Sequence, residues 1–256
     1  MAKNVRVRPV PAVTRAVAVL RLLARSRVPL TLKVIAESLE LVPSTALHIL
    51  RALVAEKLLQ VEEHTKRYRL GVGLLPLARA VLEHSDFPKM VRPILEDLST
   101  RYSVTAVAAE VPDLDHMIVV SLTTAPVQVR LHVDVGSRFP ALISATGRCV
   151  AAFSKQPWSE IEKRFRAMRW QNGPSYTVWR KEVELTRRHG FNIDRRNYIA
   201  GLTIAAVPVL DSRGAITHAI SAVGISSQLG RARALALARD MRAAAGALAA
   251  QTVAHA

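Results

Sequence analysis

The sequence predicts an α+β chain in two parts: a small N-terminal unit of short helices closed by a hairpin, then a larger C-terminal domain on a largely antiparallel sheet. Three observations predict it. Apolar residues recur at helical spacing up to about residue 54 and then give way to two short extended arms around a polar tip, LLQVEEHTKRYRLG. Asp86-Phe87-Pro88 breaks the next helical stretch, and beyond it runs rich in β-branched residues take over: VTAVAAEV, HMIVVSL and VQVRLHVDV. LTIAAVPVL, the turn Asp211-Ser212-Arg213-Gly214 and AITHAISAVGI then form the clearest hairpin in the chain. With 256 residues, half of them hydrophobic and 22% charged, the chain is long enough and apolar enough to bury two cores.

Residues 1–11 carry Lys3, Arg6, Arg8 and two prolines, the composition of a flexible basic arm. A first helix begins near Ala12, with Val13, Val17, Leu20 and Leu23, plus Ala16 and Ala24, on one side; Arg25-Ser26-Arg27-Val28-Pro29 ends it. Thr31 caps a short second helix, LKVIAESL, by accepting a backbone N–H bond. After a brief turn at Glu40-Leu41 comes PSTALHILRALVAEKLL. Pro43 suits its first turn, and Leu47, Leu50, Leu53 and Val54 make its apolar stripe. The hairpin has its tip at 62–66, and residues 73–85 are apolar-periodic again. The chain therefore divides into an arm (1–11), a helical unit with hairpin (12–72), a linker helix (73–87) and a C-terminal domain (88–256). In the last, helices are expected at about 88–102, 145–154, 158–168, 177–189 and 230–250, the second of them opened by the loop GSRFPALIS.

The formal net charge of +16 points to a polyanionic partner, nucleic acid or an anionic membrane surface, although a generally basic proteome would give the same number. Cys149 is the single cysteine, which excludes an intramolecular disulfide and a Cys-based metal cluster and fits a reducing, cytoplasmic compartment. The eight histidines show no H-x-x-x-H or H-E-x-x-H spacing, so neither a metal nor another cofactor is expected. Arg15, Arg21 and Arg25 interrupt the first apolar run, which argues against a signal peptide, and no window offers about 18 uninterrupted apolar residues for a membrane span.

Helix, helix, tight turn, helix and basic hairpin within about 75 residues is the winged helix-turn-helix layout. Its third helix must offer short polar groups at its first turn to phosphates and base edges. Ser44 and Thr45 stand there, and His48 and Arg51 extend the same side. His64, Lys66 and Arg67 at the hairpin tip suit backbone or minor-groove contact, and Arg15 on the first helix is counted with this DNA-facing set. Residues 1–84 hold 14 Lys and Arg against 6 Asp and Glu. Double-stranded DNA is thus the expected partner. Taken singly, each of these residues is explained equally well as a cap or a solvated face; the ordered set is not.

TRAVAVLRLL, LKVIAESLEL, PSTALHILRAL and KRYRLG resemble the N-terminal domain of the isocitrate lyase regulator (IclR) family. GSRFPALISATGRCVAAF, then HGFNIDRRNYIAGLTIAAVPVLDSRG and AISAVG, resemble that family's C-terminal segments, so the likeness runs in order from about Ala12 to Ala249. The resemblance implies a winged helix-turn-helix joined to a GAF-like effector-binding domain, acting as a homodimer or homotetramer. There are departures. Glu40 stands where the turn usually carries Gly and must accept a positive φ, Pro43 replaces a more often basic residue, Arg148 replaces a usual Lys, and Val207-Pro208 varies the end of a pocket strand.

Alternation places Leu202, Ile204 and Ala206 on one face of their strand, and Ser221 and Val223 on one face of its partner, an apolar wall with a hydroxyl in it. By resemblance, Asp194, Leu202, Ile204, Ser221 and Val223 fall on effector-pocket positions. Gly136 and Ser137 fall on a loop whose amides can bind a carboxylate, and a small organic acid is the implied effector. Cys149 inside a helix is a small buried hydrophobe. Asp113, Asp115 and His116 form the one tempting acid–base cluster, in a turn where loop solubility accounts for them. No G-x-S-x-G, P-loop or Rossmann fingerprint appears, so an enzyme is not expected. The reading is a transcription regulator whose operator affinity responds to an effector. The alternative is a constitutive or architectural DNA-binding protein whose C-terminal domain only oligomerises.

Overall fold

The computed structural model describes residues 10–124, 133–195 and 197–254. The chain divides into two compact units, Met1–Ser85 and Asp86–Ala256. Residues 1–9 of the basic arm and residues 127–132 of the run VQVRLHVDV lie outside the described residues.

In the first unit, helix α1 (Pro11–Arg25) starts on proline, whose missing N–H costs nothing at the first turn. It buries Val19 and Leu23. Val13 and Val17, expected on the core side, lie on the exposed face instead, and Ala16, Leu20 and Leu22 pack inward. Strand β1 (Leu30–Thr31) leads into α2 (Leu32–Ser38), where the Thr31 hydroxyl accepts from the Val34 amide at 3.4 Å, the expected cap. The turn before α3 (Pro43–Ala55) carries Glu40 at φ 51°, the left-handed conformation expected for that position. Leu50 and Leu53 of α3 close the core against Val19, Leu23 and Ile35, and Ala46 is buried on the same helix. Strands β2 (Leu59–Val61) and β3 (Arg67–Leu70) form the hairpin, and β1 joins β3 to make a three-stranded sheet. Thr31 thus serves both the cap and the ladder, opposite Arg67. Helix α4 (Leu74–His84) follows, with Leu75, Leu77 and Val81 exposed at 67%, 58% and 68%.

The second unit is built on one antiparallel sheet in the order β6-β5-β4-β9-β8-β7. Its strands are β4 (Thr105–Glu110), β5 (His116–Thr124), β6 (Arg138–Pro140), β7 (Asn192–Arg195), β8 (Leu202–Leu210) and β9 (Ile216–Ile225). Alternation gives the sheet two apolar faces. Ala106, Ala108, Ala205, Val207, Ile220 and Ala222 pack against α5 (Phe87–Tyr102) and α9 (Arg231–Ala254). The opposite face meets α6 (Ser144–Phe153), with α7 (Trp158–Ala167) and α8 (Tyr176–His189) outside it. The β8–β9 turn is fastened by Asp211, whose carboxylate accepts from the amides of Arg213 and Ala215 and whose pKa is held below the usual carboxylate value chiefly by the Ala215 bond. Pro208 is tolerated in β8 because β7 pairs only as far as Ala206, so no ladder donor is required of it on that side. No single helix among the described residues is long and apolar enough to cross a membrane.

Candidate functional site

In the first unit, α3 carries Ser44, His48 and Arg51 exposed at helical spacings of four and three, one continuous face, with Thr45 half-buried beside them. The rear of the same helix is the core stripe, so the polar face is free for a partner. His64, Lys66 and Arg67 are exposed at the hairpin tip, where Lys66 adopts φ 52° and donates its amide to the Glu62 carbonyl at 2.9 Å. Arg67 Nη1 lies 3.5 Å from the Pro29 carbonyl. Arg15 is exposed on α1.

In the second unit, a cavity of about 240 Å3 lies between the sheet and the start of α6. Its wall is cut from the register: Val107 stands opposite Ser221, and Val223 opposite Ile204. Met117 and Val119 of β5, Phe139 of β6 and Leu202 of β8 extend that wall, while Tyr198 and Ile199 come from the loop before β8. Of the seven effector positions, Leu202, Ile204, Ser221 and Val223 line this cavity. Gly136, Ser137 and Asp194 do not. The Gly136 amide donates to the Val119 carbonyl at 2.8 Å and the Ser137 amide to the Asp134 carbonyl at 2.9 Å, so both are already engaged within the protein.

The end of the cavity that sequence reasoning missed is the first turn of α6. Ser144 and Thr146 line it, and Ser144, Ala145 and Thr146 are all buried. The first-turn amides of an α-helix have no partner inside the helix, and no side chain caps this one. A local device puts it there. Leu142 crosses directly over Gly147: an added Cβ would lie 1.8 Å from the Leu142 carbonyl carbon and 2.0 Å from its oxygen. Ser144 then turns into the helix at φ 57°. The Thr146 and Ser221 hydroxyls meet at 2.7 Å, so helix start and strand wall are tied at the cavity. The signal was present in the sequence as Ser144-Ala145-Thr146-Gly147, small and hydroxyl-bearing residues crowded at a helix start between apolar runs.

Asp194 lies beside the wall on the same face of the sheet, in the same cross-strand row as Ile204 and Val223. Its carboxylate accepts from Arg148 Nη1 at 3.2 Å and from the Asn197 amide at 3.0 Å. Arg148 also donates to the Ser144 carbonyl at 2.8 Å and to Glu182 at 2.6 Å. Arg148 and Asp194 side chains are each 1% exposed. Cys149, one residue on, faces the Ala206 carbonyl at 3.4 Å, and burial pushes its thiol up to about 12, which makes it unreactive. Burial also raises the Tyr198 phenol above its ordinary value. Asp113 accepts from the amides of Asp115 and His116, a turn rather than an acid–base pair. Among the described residues no cluster of His, Cys, Asp or Glu could hold a metal ion.

Two family profiles match this chain, one described as the IclR helix-turn-helix domain over residues 12–63 and one as the bacterial transcriptional regulator IclR C-terminal over residues 79–250. The chain belongs to the IclR family. Like other IclR-family members it is a transcriptional regulator with a helix-turn-helix DNA-binding domain and an effector-binding domain, and not an enzyme. It is 30% identical over 232 residues to the glycerol operon regulatory protein of Streptomyces griseus, covering 90% of this chain and 88% of that one. In fold it is similar to an IclR transcriptional regulator from Alicyclobacillus acidocaldarius, with TM-score 0.81, 24% identity and coverage of 94% and 98%. It is similar also to an IclR homologue from Microbacterium hydrocarbonoxydans complexed with 4-hydroxybenzoate, with TM-score 0.74, 22% identity and coverage of 94% and 99%.

Proposed function

We propose that this IclR-family regulator takes a small organic acid in the cavity at the start of α6, and that occupancy changes the affinity of its paired DNA-binding units for an operator. One observation carries this reading. A buried helix N-terminus without a capping side chain opens onto an otherwise apolar cavity. Such an end is costly to leave without an acceptor, and its dipole favours a negative charge. A carboxylate satisfies both demands, with the Thr146–Ser221 hydroxyl pair beside it. Phe139, Met117, Val107 and Ile204 then hold the carbon skeleton. The volume corresponds to roughly eight waters, the space of a ligand of about ten non-hydrogen atoms. The relative complexed with 4-hydroxybenzoate supports an acid of that size. Asp194 is no obstacle to an anion, because Arg148 pairs with it.

The DNA-facing set is Ser44, Thr45, His48, Arg51, Lys66 and Arg67, with Arg15 on α1. One recognition helix reads too few base pairs to select a site in a genome, so two copies bind together on half-sites about one helical turn, or a multiple, apart. The exposed apolar residues of α4 supply the contact between copies.

Calorimetric titration with 4-hydroxybenzoate and a panel of hydroxy and keto acids tests the cavity. The wild type is expected to bind at least one of them. Ser221→Leu, which fills the space beside Thr146, is expected to bind none. Equal binding by both proteins would place the pocket elsewhere, and no binding by either would favour a domain that only oligomerises.

A further inference from the structure

The effector cavity has two carboxylates beside it and one buried cation between them. Asp194 occupies the row of lining residues Ile204 and Val223, one strand further out. Arg148 lies on α6, one turn beyond the lining residue Ser144, and Glu182 reaches it from α8. Both partners of the Arg148–Asp194 pair also hold the backbone of the cavity's edge. Arg148 binds the Ser144 carbonyl, and Asp194 binds the Asn197 amide next to Tyr198. The second guanidinium amino group, Arg148 Nη2, is buried without a hydrogen-bond partner among the described residues, and Trp170 lies over the guanidinium at 5.9 Å. Among the described residues, no cationic side chain lines the cavity.

Resting on the reading above, we infer that Arg148 is the residue that makes the cavity accept an anion, by offsetting the charge of Asp194 and Glu182 from beside the cavity without touching the effector. Three features support it. The pair is dry, so its field is weakly screened by solvent. It is one residue removed from the cavity through Ser144 on one side and Ile204 on the other. Removing the guanidinium would leave two carboxylates facing an incoming carboxylate, and like charges repel in such a setting. Removing the Asp194 charge instead would leave the guanidinium matched by Glu182 alone, taking one negative charge away from the cavity's edge and favouring the anion. Arg148 and Asp194 are accordingly positioning and specificity-determining residues, and the neutral analogue of the effector is nearly blind to both.

The test compares two acid–amide pairs by calorimetry, 4-hydroxybenzoate with 4-hydroxybenzamide and pyruvate with pyruvamide, on full-length wild type, Arg148→Gln, Arg148→Lys and Asp194→Asn. The readout is the ratio of acid to amide affinity, which a purely structural role would leave unchanged because both ligands would lose equally. Arg148→Gln is expected to lower the ratio about tenfold, Arg148→Lys to keep it within about twofold, and Asp194→Asn to raise it about tenfold. If Arg148→Gln does not fold, Asp194→Asn, in which amide replaces carboxylate at nearly equal size, decides alone. A wild type that binds an acid while Asp194→Asn leaves the ratio unmoved would overturn this inference and spare the cavity reading. A wild type that binds none of the four would overturn both.

Discussion

Replacing Gly147 by Ala tests whether the crossing of Leu142 over α6 builds the effector site. The new Cβ would stand 1.8 Å from the Leu142 carbonyl carbon, 2.0 Å from its oxygen and 2.5 Å from its Cα, all backbone atoms with no rotamer to yield. Non-bonded carbons rest at about 3.5–4.0 Å, so the crossing segment must retreat by roughly 1.5–2 Å. That movement breaks the 2.7 Å bond from the Gly147 amide to the Ile143 carbonyl and drags Ser144 from the cavity. Overpacking of a core costs about 1–3 kcal/mol, and an overlap with backbone belongs at the top of that range. At about 2–4 °C per kcal/mol for a domain of this size, the melting temperature should fall by roughly 6–12 °C. The stabilisation of the wild type by its bound acid should vanish in the variant. Thermal melts with and without ligand measure both. A variant that melts within about 2 °C of the wild type and keeps the ligand shift would refute the reasoning, since no backbone could then have moved.

Other outcomes follow from the same geometry. Glu40→Gly relieves a left-handed residue at φ 51° and should raise stability by about 0.5–1 kcal/mol after the entropy cost of glycine, read as a shift in urea midpoint. Arg51→Ala should cost about 1–3 kcal/mol on a selected DNA site if Arg51 reads a base, whereas Lys66→Ala and Arg67→Ala should weaken binding to every sequence and flatten its salt dependence. Leu77→Glu with Val81→Glu puts two charges on one exposed face of α4 and should shift sedimentation toward monomer. His218, stacked on Phe87 with ring centroids 3.7 Å apart, is lowered by burial to about 4, so the unfolded chain takes up its proton first as pH falls. Stability conferred by the neutral ring is therefore full above about pH 6.5 and is lost toward pH 4. His218→Phe should flatten that part of the urea-midpoint profile.

Much of this architecture was legible because local chemistry and tertiary need agree. Thr31 is a capping residue by composition and caps α2 in fact, and the two-residue period of β8 and β9 places Leu202, Ile204, Ser221 and Val223 on the cavity. What escaped depends on partners distant in sequence. Helical spacing shows that α1 has an apolar face but not which of Val17 and Val19 turns inward, since valines stand on both sides. Strands β1, β6 and β7 are too short for a period to register. The Gly136 and Ser137 amides looked available until β5 was seen to engage one of them and Asp134 the other. The start of α6 becomes a ligand-facing end only because Leu142 folds across Gly147, and Asp194 is neutralised by a residue 46 positions away.

If one cavity controls DNA binding, fluorescence anisotropy on a DNA fragment retained by the purified protein will report it. The fragment is titrated with wild type and Ser221→Leu, each with and without the acid that calorimetry identifies. A ligand that prefers one arrangement of the paired DNA-binding units with a coupling of about 1–3 kcal/mol changes DNA affinity about 5- to 150-fold. The expected result is a change in that range for the wild type, none for Ser221→Leu, and equal affinity of the two proteins for DNA without ligand. An equal ligand response in both, or a bound acid that leaves wild-type DNA affinity untouched, would contradict it.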